Sequence, residues 1–520
     1  MRHEGVAVAA GLLLCACAVT VVPNAVSKPE KGTAVTVRAP AKAHLLDGSV
    51  VVFADGLTLS EGVLRGNGLR FDLFRHDSAS VNAVPLESVG ALERYDRHNN
   101  PGGMVALAGV PASALMSLVG SGSLTPFFKS LFGSCPTVYT WDGTAYTLEA
   151  EAFSFNVTRL LRGDDLDRLD LGRPVEDEYR LMVTNEALET HYIDHLGLVT
   201  VDHDPGCRAF PTDDGKVVLF GRQSRLAFAR DRAGRDVVPY LSGRDSIWYR
   251  TDPALTRQLA DSVVHDWIDI AVPVPKGTRR LLLALRGRNT LMSTVMFYDV
   301  LLANQGIRSL DWQGMNARDA SYALGLSRWH HRHFGMRISA RSGKGFRDLA
   351  WLRDTGPIAW HDVAIELPVT KDDTCFLRLD FLPDNWMIDW VGVSFDNPRR
   401  AQVREIACEE VREADGKESD AERALLLVND GRYLVTTPGV CRYLTFRPEP
   451  TPAGLEREYF VRSGGYYLEW LRNEWLRSEP LGWFQPRDQA LTELGVRWLE
   501  KKPELERRFF EARVPVRRSP

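Results

Sequence analysis

Apolar and polar residues alternate with a period of two in several short stretches of this chain. The clearest runs are Ile268, Ile270 and Val272, and later Val363, Ile365 and Leu367. Such alternation puts one face of a β-strand against a core. The two runs sit in segments that echo each other: WIDIAVPVPKGTRRLLLALR from Trp267 and WHDVAIELPVTKDDTCFLRLDF from Trp360. Each has a Pro and a charged turn, then a second apolar run. The pattern predicts two antiparallel hairpins in sandwich-like sheets across residues 261–400, with PDNWMIDWVGVSF as a further strand.

Short strands are also expected over 44–95, where Asp47-Gly48, Asp55-Gly56 and Gly66-Asn67-Gly68 precede apolar runs. Their close spacing predicts a small antiparallel barrel or roll. Residues 134–260 read as a β-domain. Val138, Tyr139 and Trp141 face Tyr146 and Leu148 across Asp142-Gly143, a tight hairpin turn. Residues 176–206 then give a strand, a connection and a longer strand. Helix is expected at 289–306, capped by Asn289 or Thr290 and ended by Gly306, and at 321–335, ended by Gly335. Region 401–520 begins with a charged linker or exposed helix, followed by a hairpin at RYLVTTPGVCRYLTF. It ends in amphipathic helices, with Leu468, Leu471 and Trp475, then Leu491, Leu494 and Trp498, at helical spacing. The predicted fold class is mainly β with an α-helical C-terminus, a β-rich multidomain chain of small barrel plus sandwich-like sheets.

Composition narrows this picture. At 520 residues the chain has room for roughly three domains. A net charge of −4 supplies no basic field, so no nucleic-acid partner is expected. The basic residues near the C-terminus, Lys501, Lys502, Arg507, Arg508, Arg513, Arg517 and Arg518, read as a solvated tail. At the other end, one Arg precedes the apolar run Val6 to Leu14, which is too short to span a bilayer and reads as a signal peptide over 1–17. Leu14-Cys15-Ala16-Cys17 resembles the bacterial lipobox, which implies lipidation at Cys17. Residues 18–43 suit a tether. Residues 99–128 carry no charge. They fit a transmembrane helix by length, or a buried or interfacial helical hairpin given Pro111 and five glycines. An apolar helical segment is therefore expected over 99–133, with 102–132 as a second membrane attachment.

Several groups are candidates for chemistry. Five cysteines lie beyond the leader: Cys135, Cys207, Cys375, Cys408 and Cys441. No CxxC pair occurs among them, which argues against a zinc ribbon. A disulfide such as Cys408–Cys441 is open, and connectivity cannot be deduced from sequence. His191 and His195 would share a face of a helix, as in an inverted zincin motif with Asp194 for Glu. Leu196-Gly197-Leu198-Val199 favours strand instead. There His191, His195 and His203 share a face, but the first two stand about 13 Å apart at a rise of about 3.3 Å per residue. His330 and His333 are a second histidine pair, with a solvated helix face as the competing reading. Gly163-Asp164-Asp165-Leu166-Asp167 reads as a solvated loop or a loose calcium site and lacks EF-hand spacing. Asp384 and Asp389 flank Trp386 and would suit sugar cleavage. Trp386 and Trp390 are either core packing or an exposed sugar platform. No GxSxG, phosphate loop or GxGxxG is present, and neither a cofactor nor a resident metal is expected.

Four blocks carry a wider likeness: CPTVYTWDG at Cys135–Gly143, LEAEAF at Leu148–Phe153, TNEALETHYIDHLGLVTVDH at Thr184–His203, and DNWMIDWVGV at Asp384–Val393. They resemble blocks of a family of exported bacterial proteins, several of them predicted lipoproteins, over roughly residues 134–400. The resemblance implies no activity. The small barrel resembles those that open other bacterial envelope proteins with a DGS hairpin, and 261–400 resembles jelly-roll carbohydrate-binding modules. Together these readings favour a non-catalytic cell-envelope lipoprotein on the periplasmic side that binds an envelope protein partner or supports an assembly. Ala18 does not supply the Asp of an inner-membrane retention signal, which favours the outer membrane. The alternatives are a carbohydrate-binding or carbohydrate-processing envelope protein, and a zinc-dependent hydrolase using His191 and His195.

Overall fold

The echoing segments form strands with the expected buried faces but with unexpected partners. The computed structural model describes residues 18–512 except 28–31, 33, 39–40, 46, 48, 72–77, 101–134, 317–318, 370–372, 397–400, 438, 471, 473–474 and 476–482. Strand Asp266–Pro273 pairs with Thr374–Phe381, setting Asp266 opposite Phe381, and Arg280–Asn289 pairs with His361–Pro368, setting Arg280 opposite Pro368. Each echo therefore gives one strand to each of two sheets, and the echoes pair with each other crosswise. The turn at 274–279 steps between layers and does not close a hairpin. Alternation reports which side of a strand is buried, not which strand lies beside it.

One sheet of this sandwich has five strands in the order Phe228–Asp231, Asp266–Pro273, Thr374–Phe381, Met336–Ser342, Gly345–Leu352. The other has three, His361–Pro368, Arg280–Asn289, Trp386–Ser394. Ile268, Ile270 and Val272 meet Leu281, Leu283 and Leu285 in one core between them, the two-layer solution to burying one face of each sheet.

A second sandwich is assembled from distant parts of the chain. Its first sheet runs Tyr146–Glu151, Thr137–Trp141, Tyr179–Thr184, Cys441–Phe446, Glu410–Glu413. Its second runs Gly163–Leu169, Glu456–Glu469, Glu189–His203, Gln402–Ile406, with Leu434–Thr436 also on Glu189–His203. Val138, Leu181, Leu196, Leu198, Leu444 and Val461 share its core. The expected boundary at 400/401 thus does not separate two bodies, because residues 402–469 complete the sheets begun at 137. The helix expected from the spacing of Leu468, Leu471 and Trp475 is, through Glu469, the end of a strand paired with Glu189–His203 along its length. Tyr466 and Leu468 face one cluster and Tyr467 the opposite core, a period of two.

The N-terminal module is an eight-stranded antiparallel sheet, and it begins in the expected tether. Ala18–Ser27 pairs with Val89–Asn100, and Val35–Val37 and Ala41–Leu45 join the same sheet. Val-Thr-Val-Val at 19–22 and Val-Thr-Val at 35–37 are β-branched runs that suit a pleated sheet. The lipidation position Cys17 and the apolar segment 101–134 lie outside the described residues. Among the described residues no helix is long and apolar enough to cross a membrane.

Helices form the remaining layer. Thr290 Oγ1 accepts Met292 N–H at 3.2 Å at the start of the segment over 292–316, and Gly306 at φ 54° kinks it. Ala320–Phe334 is a helix ending before Gly335, as its pattern predicts. In helix Asp488–Ala512, Leu491, Leu494 and Trp498 enter a core with Met292, Val295 and Leu302. The basic C-terminal residues are in part docked: Lys501 Nζ meets Asp299 at 2.6 Å and Lys502 pairs with Asp384.

Candidate functional site

The acidic run at 163–167 is neither a loop nor a calcium site. It is strand Gly163–Leu169, paired with Glu456–Glu469 from Gly163 opposite Gly465 to Leu169 opposite Tyr459. Asp165 and Asp167 therefore point the same way as Leu169, toward the core of their own sandwich. Across from them begins strand His361–Pro368 of the other sandwich. Its first two residues reach back in opposite senses. His361 Nδ1 meets Asp167 Oδ1 at 2.7 Å, and Asp362 Oδ2 meets Arg168 Nη1 at 3.4 Å. Arg244 bridges Asp362 and Asp170 at 2.7 Å each, and Arg286 reaches Asp170 at 2.9 Å. Ion pairs thus fasten the two sandwiches beside His361.

Glu151 completes the group. Its buried carboxylate accepts Ile358 N–H at 2.8 Å and the Cys135 thiol at 2.8 Å. Gly356 permits this approach. It sits at φ 76°, and a Cβ there would stand 2.7 Å from Glu151 Oε2. Asp165 accepts Phe153 N–H at 3.0 Å and Leu166 N–H at 2.9 Å. Phe153 is held at φ 41°, a conformation that non-glycine residues adopt at a cost.

Three carboxylates around one imidazole shift each other. Burial and the Asp167 charge push the Asp165 carboxyl up to about 7. Burial works to lower His361, but the charge and hydrogen bond of Asp167, with Asp165 and Glu151 nearby, push it up to about 9. Burial raises Glu151 against its hydrogen bonds. Opposite charges stabilise the charged imidazole, while burial and the neighbouring Asp167 charge disfavour the ionised form of Asp165.

Glu151, Asp165 and His361 border a cavity of about 580 Å³ between the sandwiches and helix Ala320–Phe334. Phe155, Phe297 and Trp329 supply aromatic lining, and Asp213, Arg353 and Asp354 supply charge. Asp213 Oδ2 accepts Arg353 N–H at 2.8 Å, and burial raises its carboxyl. Three buried polar atoms on the lining residues have no protein partner: Ser154 Oγ, Trp329 Nε1 and His361 Nε2. Leu160 and Leu324, 41% and 47% exposed, also border the cavity and mark its mouth.

The structure separates the residues singled out from sequence. A bulge between Ile193 and His195 interrupts strand Glu189–His203. Ile193 before the bulge and Leu196 and Leu198 after it enter the same core, so parity flips there. His191 thus points with Ile193 while His195 points away from Leu196: the pair lies on opposite faces, not one. His191 Nε2 meets Glu189 Oε1 at 2.5 Å, and burial holds the ring neutral by lowering it to about 3. His195 Nε2 meets Glu405 at 2.5 Å instead. Among the described residues no group of three or more His, Cys, Asp or Glu is arranged to hold a metal ion.

Trp386 and Trp390 form no exposed platform. Trp386 is 1% exposed and donates to Phe334 O at 3.0 Å, and Trp390 is 4% exposed and stacked on Phe210. Asp384 accepts Trp498 Nε1 at 2.7 Å and Asp389 lies 3.5 Å from Arg286, so both serve packing. His330 lies 3.5 Å from Asp354 at the cavity, while burial lowers His333 to about 4. Cys135, Cys207, Cys375, Cys408 and Cys441 are separate thiols. His361 was missed because WHDV reads only as a strand start. The available signal was Asp-x-Asp at 165–167, which in a strand puts two carboxylates on one side.

No protein-family model matches the chain, and no curated protein matches it. Among solved structures it is similar to a GH31 α-xylosidase from Xanthomonas citri, at 8% identity over 83% of this chain and 38% of that one, with a TM-score of 0.17. The chain thus spans well under two thirds of that protein, and a likeness at this TM-score carries no argument.

Proposed function

We propose that this chain is a membrane-attached cell-envelope protein that binds a ligand or partner through the inter-sandwich cavity and does not turn it over. The observation that carries attachment is the register of one ladder, which sets Ala18 opposite Asn100. The apolar run ending at Cys17 and the uncharged run from Asn99 to Phe128 therefore adjoin the same end of the same ladder. Lipid at Cys17 and insertion of 102–132 would act there together, and two signals anchor where one is marginal.

Binding without turnover is supported by how the carboxylates at and beside the cavity are used. Glu151 and Asp165 each hold backbone N–H groups, and Asp167 holds His361. They fix the wall of the cavity. The test has two arms. Envelope fractionation of wild type, Cys17→Ala, a deletion of 102–132 and the combination should release protein to the soluble fraction fully only in the combination. A soluble wild type refutes attachment. Capture from envelope extract with wild type and Ser327→Trp, which fills the cavity from helix Ala320–Phe334, should differ. Identical captures refute the cavity as the binding site.

A further inference from the structure

The polar groups at the cavity are mixed in a way that restricts what fits. Ser154 Oγ, Trp329 Nε1 and His361 Nε2 are buried and without a protein partner. His361 Nδ1 is turned to Asp167, so in the charged imidazole Nε2 is a donor facing away from that pair. Trp329 Nε1 is always a donor. Leaving such groups unmet costs free energy that a ligand oxygen recovers. Acceptors stand on the same lining: Asp165, Asp213 and Asp354.

An anion meets these carboxylates with Glu151, Asp164 and Asp362 beside them, and a cation meets His361 with Arg162, Arg328 and Arg353. A hydroxyl satisfies both sets, since it accepts from N–H and donates to carboxylate. Phe155, Phe297 and Trp329 add flat apolar surface for the C–H face of a ring. The cavity volume of about 580 Å³ falls within the range of small-molecule sites. We propose that this cavity binds a neutral, polyhydroxylated ligand, a saccharide of one or two rings. Trp329 Nε1, His361 Nε2 and Ser154 Oγ donate to its oxygens, and Asp165 accepts from its hydroxyls. This inference rests on the reading of the cavity as the binding site. It moves carbohydrate recognition from Trp386 and Trp390, which are core residues, to the gap between the sandwiches.

The test uses the full chain at pH 7 with three probe sets, read by calorimetry and tryptophan fluorescence. The sets are a panel of neutral mono- and disaccharides, the anions glucuronate and inorganic phosphate, and the cation glucosamine. Saturable binding of a neutral saccharide is expected, abolished by Ser327→Trp. Trp329→Phe keeps the ring and removes one N–H, and should weaken binding about 3- to 10-fold, the worth of one neutral hydrogen bond. Circular dichroism confirms that both variants fold. Tighter binding of the anions or of glucosamine, lost in Ser327→Trp, overturns the ligand class and leaves the cavity as a binding site. No saturable neutral binding also overturns it. If extract capture by wild type and Ser327→Trp is then identical, the binding reading falls too.

Discussion

His361→Gln is the sharpest probe of the junction between the sandwiches. The imidazole is nearly buried, with its side chain 11% exposed, and meets Asp167 at 2.7 Å. Its folded value is pushed up to about 9 from an ordinary value of 6.5. The folded state therefore holds a proton that the unfolded chain releases between those limits. The stabilisation is fully present below about pH 6.5 and is lost as pH rises through about 9. A shift of this size is worth on the order of 3 kcal/mol. Glutamine keeps a donor but no charge. The difference in unfolding free energy, wild type minus variant, should be about 3 kcal/mol at pH 6 and should fall close to zero by pH 10. Urea unfolding at the two pH values measures it, with a histidine proton titration locating the His361 midpoint. A difference that does not change with pH would falsify the charge-pair account and leave only packing.

Other consequences are separable. Lys42 meets Glu93 at 2.7 Å with both side chains buried, and its ammonium also donates to Thr190 of the adjacent sandwich at 3.0 Å. Lys42→Met leaves the Glu93 charge buried and should cost about 3–5 kcal/mol, read as earlier proteolysis of the N-terminal module. Gly495 lies where helix Asp488–Ala512 crosses Pro253–Leu259, and a Cβ there would meet Ala260 N at 2.7 Å. Gly495→Ala must push the helices apart and should lower stability by about 1–3 kcal/mol; an unchanged melting temperature would contradict that crossing. Of the five cysteines among the described residues Cys207 is the partly exposed one. It should react first with a thiol reagent in native protein, and reductant should leave the melting temperature unchanged, whereas a drop would reveal a disulfide.

Much of the architecture was legible because strand signals are local. Alternation at 268–272 and 363–367, and the turn at Asp142-Gly143, depend on neighbours in sequence. Helix Ala320–Phe334 was legible for the same reason, whereas Gly306, expected to end its helix, only kinks a segment that runs on to Asn316. The segment at 466–469 was misread because Leu468, Leu471 and Trp475 fit a helical period over so short a run. The sheet decided it, since pairing with Glu189–His203 runs on through Leu468 and Glu469 and gives backbone groups there ladder partners in place of helical ones.

The sequence by itself determined a β-rich chain with an amphipathic C-terminal helix and the buried faces of the strands at 268–272 and 363–367. It also put Asp165 and Asp167 two residues apart. Only the tertiary structure decided which strands are neighbours, that residues 402–469 complete a sandwich begun at 137, and that a bulge parts His191 from His195. The candidate site belongs to that second group. Asp167 and His361 are far apart in sequence and meet because two sandwiches are fastened by Arg168, Arg244 and Arg286. No local pattern encodes a pairing made by the packing of two sheets, since each partner obeys only the periodicity of its own strand.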